Sequence, residues 1–298
     1  MIINAEGLAR LYTAFTAVFN AAFQETQTWY ERVAMTVPAS TRIMDYKFLL
    51  DFPMVREWLG DRQISSLEPK AYQVETKDWE ATIEVDRNDI EDEQLGFYNP
   101  IVAALAQEAR KHPERLISDL LTGGFTQPCY DGQNFFDTDH SVGTGTAANF
   151  GGGTGAAWFL LDTGRAIKPF IFQLRRGVQL VRMDRNEDEH AFMRKKYRYG
   201  VDYRGAAAYG LWQLAYSSKE TLDATNYAAA RTAMMSLTNS EGRPLGIKPS
   251  LLLVPPSLEA PAREILHAQF IIGDPSTGGS KSNVWQGTAD LLVVPELG

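Results

Sequence analysis

The chain has a single cysteine, Cys129, among its 298 residues, so no intrachain disulfide can form. That usage suits synthesis in a reducing cytosol, and Cys129 reads as a buried, inert thiol. Histidine is scarce as well: His112, His140, His190 and His267 are the complete set. Neither a Gly-x-Ser-x-Gly elbow nor a His-Glu-x-x-His pair occurs, so the common hydrolase templates fail. Long apolar runs are absent too. Leu251 to Pro256 and Leu291 to Pro295 are strand-sized and far short of a membrane span. Met1 to Arg10 lacks a basic segment followed by an apolar core, so the expectation is a soluble protein without an export signal of its own. Positive charge is in deficit, with 29 Lys and Arg against 37 Asp and Glu and a net charge of −8. A protein that grips nucleic acid by neutralising phosphates needs a basic face, and the bulk charge supplies none.

What is present is an ordinary globular composition, 44% hydrophobic and 22% charged, long enough for one large domain or two modest ones. Leu8, Leu11, Phe15, Val18, Phe19, Ala22 and Phe23 recur at three-and-four spacing, which predicts an amphipathic helix over about residues 5–24. Its stripe covers either its own core or a neighbouring surface.

Tyr72, Val74, Ala81, Ile83 and Val85 alternate with polar residues at the period of a strand. With the turn-rich stretch between Asp51 and Lys70, they predict a two-stranded excursion over 46–87. A lone hairpin is marginal in water, so such an arm needs a surface to rest on.

Asn99 and Pro100 announce a helix, with Asn99 as N-cap. Ile101, Leu105, Ala109, His112, Leu116 and Leu120 share its apolar face, and Gly123 and Gly124 end it. This spine of roughly 33 Å contains Pro113, where a kink is expected.

Downstream, a loop-like stretch over 125–157 precedes an expected hairpin of Trp158 to Leu161 and Ile167 to Gln173, turned at Asp162-Thr163-Gly164. Strand-like sequence follows from Ala191 to Tyr203. A helix from Asp223 to Leu237 buries Tyr227, Ala230, Met234 and Leu237. A short buried strand spans Leu251 to Val254, Ser257 caps a helix to Ala268, and Val284 to Pro295 form a last strand. Helices and strands mix without βαβ alternation, so the fold class is α+β.

Asp137-Thr138-Asp139-His140 is the densest polar constellation, and its carboxylates and imidazole are of types that bind divalent metals. It reads first as a hydrogen-bonded loop anchor. Gly151-Gly152-Gly153-Thr154-Gly155 lacks the Gly-Lys-Ser/Thr ending of a phosphate loop and reads as a flexible connection. Arg175, Arg176, Arg182 and Arg185 read as surface partners of nearby acids such as Asp184 and Glu187. His112 reads as a packed core residue of the spine.

Several segments together resemble the Mu-like phage major head subunit family. They are Met54-Val55-Arg56-Glu57-Trp58-Leu59-Gly60-Asp61-Arg62, Val85-Asp86-Arg87-Asn88-Asp89-Ile90-Glu91-Asp92-Glu93-Gln94-Leu95-Gly96, Tyr130-Asp131-Gly132-Gln133-Asn134-Phe135-Phe136-Asp137-Thr138-Asp139-His140, Lys168-Pro169-Phe170-Ile171-Phe172-Gln173 and Leu253-Val254-Pro255-Pro256-Ser257-Leu258-Glu259.

The resemblance implies a Hong Kong 97-type phage capsid fold. An N-terminal arm would cover 1–45, an extended loop 46–87, a peripheral domain with spine helix 88–124 and an axial domain 125–255. Residues 256–298 would return to the peripheral domain. It implies a non-enzymatic major capsid protein that self-assembles into pentamers and hexamers of an icosahedral shell enclosing double-stranded DNA, with no cofactor. Expected partners are other copies of itself and the scaffold or protease, portal and decoration proteins of the head. Assembly is expected in the bacterial host cytoplasm, with the virion as destination.

Candidate intersubunit residues are Trp58, Leu59, Arg62, Leu67 and Lys70 on the loop, and Leu11 and Phe15 on the arm. Some relatives of this fold crosslink through a lysine and an asparagine, and Lys70 is placed where such a lysine would lie. Two alternatives stay open: an encapsulin-type compartment shell, and a metal-dependent enzyme using Asp137, Asp139 and His140.

Overall fold

The N-terminal apolar stripe becomes a helix whose start is secured by a side-chain cap. The computed structural model describes residues 4–46, 72–92, 95–272 and 280–298. Helix α1 runs Ala5–Glu25, and the Asn4 side chain accepts the Gly7 N–H at 2.8 Å, satisfying one of the first orphan donors. Leu8, Leu11, Phe15 and Phe19 are buried in this chain's own core, each worth roughly 1.5–3 kcal/mol of transfer free energy. The stripe therefore covers its own subunit.

After the short helix α2 (Tyr30–Val33) come β1 (Ala34–Pro38) and β2 (Ile43–Tyr46). Strand β3 (Tyr72–Glu75) returns antiparallel to β2, pairing Tyr46 with Tyr72. The two-stranded stem is thus present, starting at Ile43, but β4 (Lys77–Asp86) leaves it and joins a larger sheet. A one-turn helix α3 (Arg87–Glu91) follows, capped by Asp86.

The spine helix α4 spans Tyr98–Gly123, 26 residues or roughly 39 Å. Its start precedes the expected cap. Phe97 occupies the N-cap without a side-chain bond, and Pro100 falls in the first turn, where its missing N–H costs nothing. The buried face is Val102, Leu105, Ala106, Ala109, Pro113, Glu114, Ile117, Ser118 and Leu121. Of the expected stripe, Leu105 and Ala109 are buried, Ile101 is exposed, and His112, Leu116 and Leu120 lie on the shoulder of the buried face. The helix continues through Pro113.

Beyond α4, β5 (His140–Val142) and β6 (Gly145–Ala147) form a small hairpin, followed by β7 (Phe150–Gly153) and β8 (Trp158–Leu161). Strand β9 (Phe170–Met183) and β10 (Lys196–Tyr209) make a long antiparallel pair with helix α5 (Glu189–Arg194) at its tip. Ala191 belongs to α5, and the left-handed Lys195 (φ +55) turns the chain into β10.

The expected hairpin between Trp158–Leu161 and Ile167–Gln173 does not form, because β8 and β9 join different sheets. Asp162 is a buried anchor at that junction. Its carboxylate accepts Gly164 N–H at 3.2 Å, Arg165 Nε at 3.1 Å and the distant Lys248 N–H at 3.1 Å.

The C-terminal part adds β11 (Ala215–Lys219), α6 (Ala224–Met235), β12 (Leu251–Val254), α7 (Glu259–His267), β13 (Phe270–Ile272), β14 (Ser280–Ser282) and β15 (Asp290–Val293). Asp223 caps α6, which buries Tyr227, Ala230 and Met234 as its spacing predicts. Ser257 does not cap α7. A 3-10 turn over Pro256–Leu258 leads into that helix instead. Val284 is exposed and lies outside the last strand.

Two main sheets result. The first, ordered β1-β9-β10-β4, lies beside α1 and α4. The second, ordered β15-β12-β8-β11-β7, carries α6 and α7. Strands within 170–209 share the spine-side sheet, and β15 pairs parallel with β12 in the other sheet, while the turn Pro295–Leu297 packs against the spine helix. The physical cause is continuous burial. Trp158–Leu161 and Leu251–Val254 are buried at every position, as suits central strands covered on both faces.

Candidate functional site

Trp58, Leu59, Arg62, Leu67 and Lys70 lie outside the described residues. What the structure places is the stem from which their segment departs. Tyr46 donates its hydroxyl to Gln173 Oε1 at 3.0 Å, and the Tyr72 hydroxyl accepts the Tyr209 N–H at 3.0 Å. Burial pushes both phenols up to about 12. Arg42 pairs with Glu75 at 2.5 Å, and Trp79 Nε1 donates to the Gly205 carbonyl at 3.0 Å. Tyr46 and Tyr72, which close the β2–β3 pair, are therefore both moored to the spine-side sheet, the kind of surface a two-stranded stem requires. Leu11 and Phe15, expected at an interface, are 4% and 1% exposed, with Phe15 edge-on to Tyr199 at 5.1 Å. Their packing partners belong to their own subunit.

Other apolar groups do face outward. Phe192 and Met193 on α5 are 81% and 70% exposed, and Phe97 ahead of the spine is 78% exposed. Sequence reading missed them because a short helix or turn carries too few residues to show a period.

The Asp137–His140 segment is a loop anchor. His140 is fully buried and lies flat on Trp212, with ring centroids 4.0 Å apart and planes at 7°. Its Nδ1 meets Asp131 Oδ2 at 2.7 Å and its Nε2 meets Asn149 Oδ1 at 3.2 Å. Asp137 instead binds the neighbouring Thr138 N–H at 2.7 Å, and Asp139 is exposed. The expected ligand set of Asp137, Asp139 and His140 is thus not assembled. Among the described residues, the atoms brought together are Cys129 Sγ, an Asp131 oxygen and a His140 nitrogen.

Cys129 donates to Asp131 Oδ1 at 3.1 Å, and burial pushes its thiol up. Burial also opposes ionisation of Asp131, but hydrogen bonds from His140 and Cys129 outweigh it and hold that carboxyl down. Asp131 was visible in the sequence as part of the same segment, yet nothing local paired it with His140.

His112 packs against Trp79 at 4.5 Å with Nδ1 on the Tyr203 hydroxyl, and burial lowers its affinity for protons. Arg182 approaches Asp184 at 3.6 Å and covers the Tyr12 ring, while Arg176 pairs with Asp202 at 2.8 Å. Arg182 thus has the expected partner, whereas Arg176 takes Asp202 on the neighbouring strand instead. The glycine run is not a free loop, since Gly151 to Gly153 belong to edge strand β7 beside β11.

Residues 8–297 match the family model for the Mu-like prophage major head subunit gpT. The chain is 37% identical over 308 residues to the major capsid protein of Escherichia phage Mu, with all of both chains covered. It is 34% identical over 272 residues to the Mu-like prophage FluMu major head subunit of Haemophilus influenzae, covering 87% of this chain and 88% of that one. Among solved structures, a chain of the bacteriophage JBD30 procapsid superposes with a TM-score of 0.86 at 36% identity, covering 99% of this chain and 100% of that one. A chain of the JBD30 capsid gives 0.77 at 27% identity, covering 90% of each. Neither an encapsulin-type shell nor a metal-dependent enzyme is favoured by these matches.

Proposed function

The chain belongs to the Mu-like prophage major head subunit gpT family, and from that premise we propose that its copies build the pentamers and hexamers of an icosahedral head around double-stranded DNA. It is a major capsid protein of a tailed phage, with the Hong Kong 97-type fold. The observation that carries the assembly reading is the TM-score of 0.86 over essentially the whole chain to a procapsid subunit.

The physical mechanism is repetition. Contacts that close into rings of five and six tile a shell, and many weak contacts held simultaneously outlast any one of them. We assign the segment 47–71, with Trp58, Leu59, Arg62, Leu67 and Lys70, to contacts with a neighbouring copy. Its moored stem supports this assignment: anchored ends lower the ordering cost of a reaching arm. Leu11 and Phe15 serve the subunit's own core instead.

The proposed role has no catalytic step. The net charge of −8 suits a wall that encloses DNA without sequence-specific binding. Scaffold or protease, portal and decoration proteins are the proposed further partners, with assembly in the host cytoplasm. No helix among the described residues is long and apolar enough to cross a membrane.

Negative-stain electron microscopy of the purified chain, alone and after co-expression with other head proteins, tests this. Closed shells or rings of five and six are expected. A monomer or dimer that persists with those partners present overturns the reading.

A further inference from the structure

We propose that Cys129, Asp131 and His140 bind a divalent metal ion of the zinc class, which clamps the segment between the spine helix and the second sheet. Their ligand atoms all lie within 4.8 Å of one another. A thiolate, an imidazole and a carboxylate form a borderline-soft set that suits zinc, whereas magnesium and calcium favour oxygen alone.

The orientation of His140 is an independent observation. Asn149 has its amide fixed: Nδ2 donates to the carbonyls of Phe135 at 2.8 Å and Trp212 at 3.4 Å, while Oδ1 accepts the Asp137 N–H at 2.8 Å. The same Oδ1 faces His140 Nε2, which must therefore carry a hydrogen. Its Nδ1 points the other way, to Asp131 Oδ2 at 2.7 Å, on the side where the cation would take the place of the proton. Metal-bound histidines are held in this way, with the second ring nitrogen donating to a fixed oxygen acceptor.

Cys129 closes the third side at 3.1 Å from Asp131 Oδ1. All three side chains are screened from solvent, with Asp131 6% and His140 0% exposed, so the site is a clamp that offers a substrate no approach. Zinc–ligand bonds of about 2.0–2.3 Å require the two hydrogen-bonded gaps to open by roughly 0.5–1 Å. The cation displaces the Cys129 thiol proton, and any proton on His140 Nδ1, to solvent.

The test is titration of the full-length chain with cobalt(II), then zinc, after chelator treatment. The expected result is one cobalt per chain, a near-ultraviolet sulfur-to-cobalt charge-transfer band, its loss on adding zinc, and a higher Tm with either metal. Cys129→Ser should lose the band, while the Asp137→Ala/Asp139→Ala double variant should keep it. A folded wild-type chain with no stoichiometric metal and no band overturns the proposal, as does a band that survives in Cys129→Ser. Should Cys129→Ser not fold, the wild-type titration and the double variant decide.

Discussion

The Glu114 carboxylate accepts the backbone N–H of Trp29 at 2.5 Å, across 85 residues of sequence. Glu114 lies on the buried face of α4, and burial pushes its carboxyl up, against hydrogen bonds from the Trp29 and Tyr30 N–H groups that favour the ion. One side chain thus ties the spine to the start of α2, from which β1 enters the first sheet. Glu114→Ala strands those donors and is expected to cost about 1–3 kcal/mol. Glu114→Gln keeps an acceptor oxygen and should recover most of the loss. Chemical denaturation of both variants checks this, and an alanine variant as stable as wild type would show that the link contributes nothing.

Acid should weaken a different pair. Glu84 on β4 takes two hydrogen bonds from Arg198, at 2.9 and 2.7 Å, and one from Lys196 at 3.0 Å. Arg198 first, then Lys196, hold its carboxyl down at about 2 against an ordinary 4.5. The fold therefore favours the ionised form. Its contribution is complete above the ordinary value and is lost as pH falls towards 2. Glu84 is a third exposed, so the effect is small. The Tm difference between wild type and Glu84→Gln should stay constant above about pH 5 and close at lower pH. A gap that does not change with pH would sink the idea.

Neighbouring glycines should respond differently to alanine. Gly152 has φ +80, and a Cβ there would meet nothing nearer than Glu220 Oε1 at 3.9 Å. Gly152→Ala should cost about 1–2 kcal/mol, from backbone conformation alone. Gly153 has φ +91, and its Cβ would fall 2.2 Å from the Lys219 carbonyl carbon. Gly153→Ala should cost more, roughly 3 kcal/mol or above, because β7 must leave β11 to relieve the clash. Equal denaturation midpoints for the two variants would contradict this.

Assembly is tested by Trp58→Asp. The assignment of 47–71 to subunit contacts predicts a subunit with an unchanged unfolding midpoint and a sharply lower shell yield, counted by electron microscopy. Normal shell yield would remove the segment from the interface.

Residue order alone was enough for α1, for the extent and buried face of α6, for the buried strand Leu251–Val254 and for the family resemblance. Each rests on a period or a motif readable within about twenty residues, where local sterics and one-sided burial leave a direct imprint. The spine was legible in extent but only partly in its buried face. Glu114 looks polar in the sequence, yet it is buried because Trp29, far away, supplies a donor.

Tertiary structure decided the pairing. β8 and β9 are separated by a short connection that reads as a hairpin, but completely buried strands carry no alternation to name their partners. Asp162 reaching Lys248, and His140 meeting Asp131, Asn149 and Trp212, depend on where the two sheets come to rest. Such contacts are set by long-range packing and by the need of each buried polar group for a partner. That partner's place along the chain is free as long as its place in space is right.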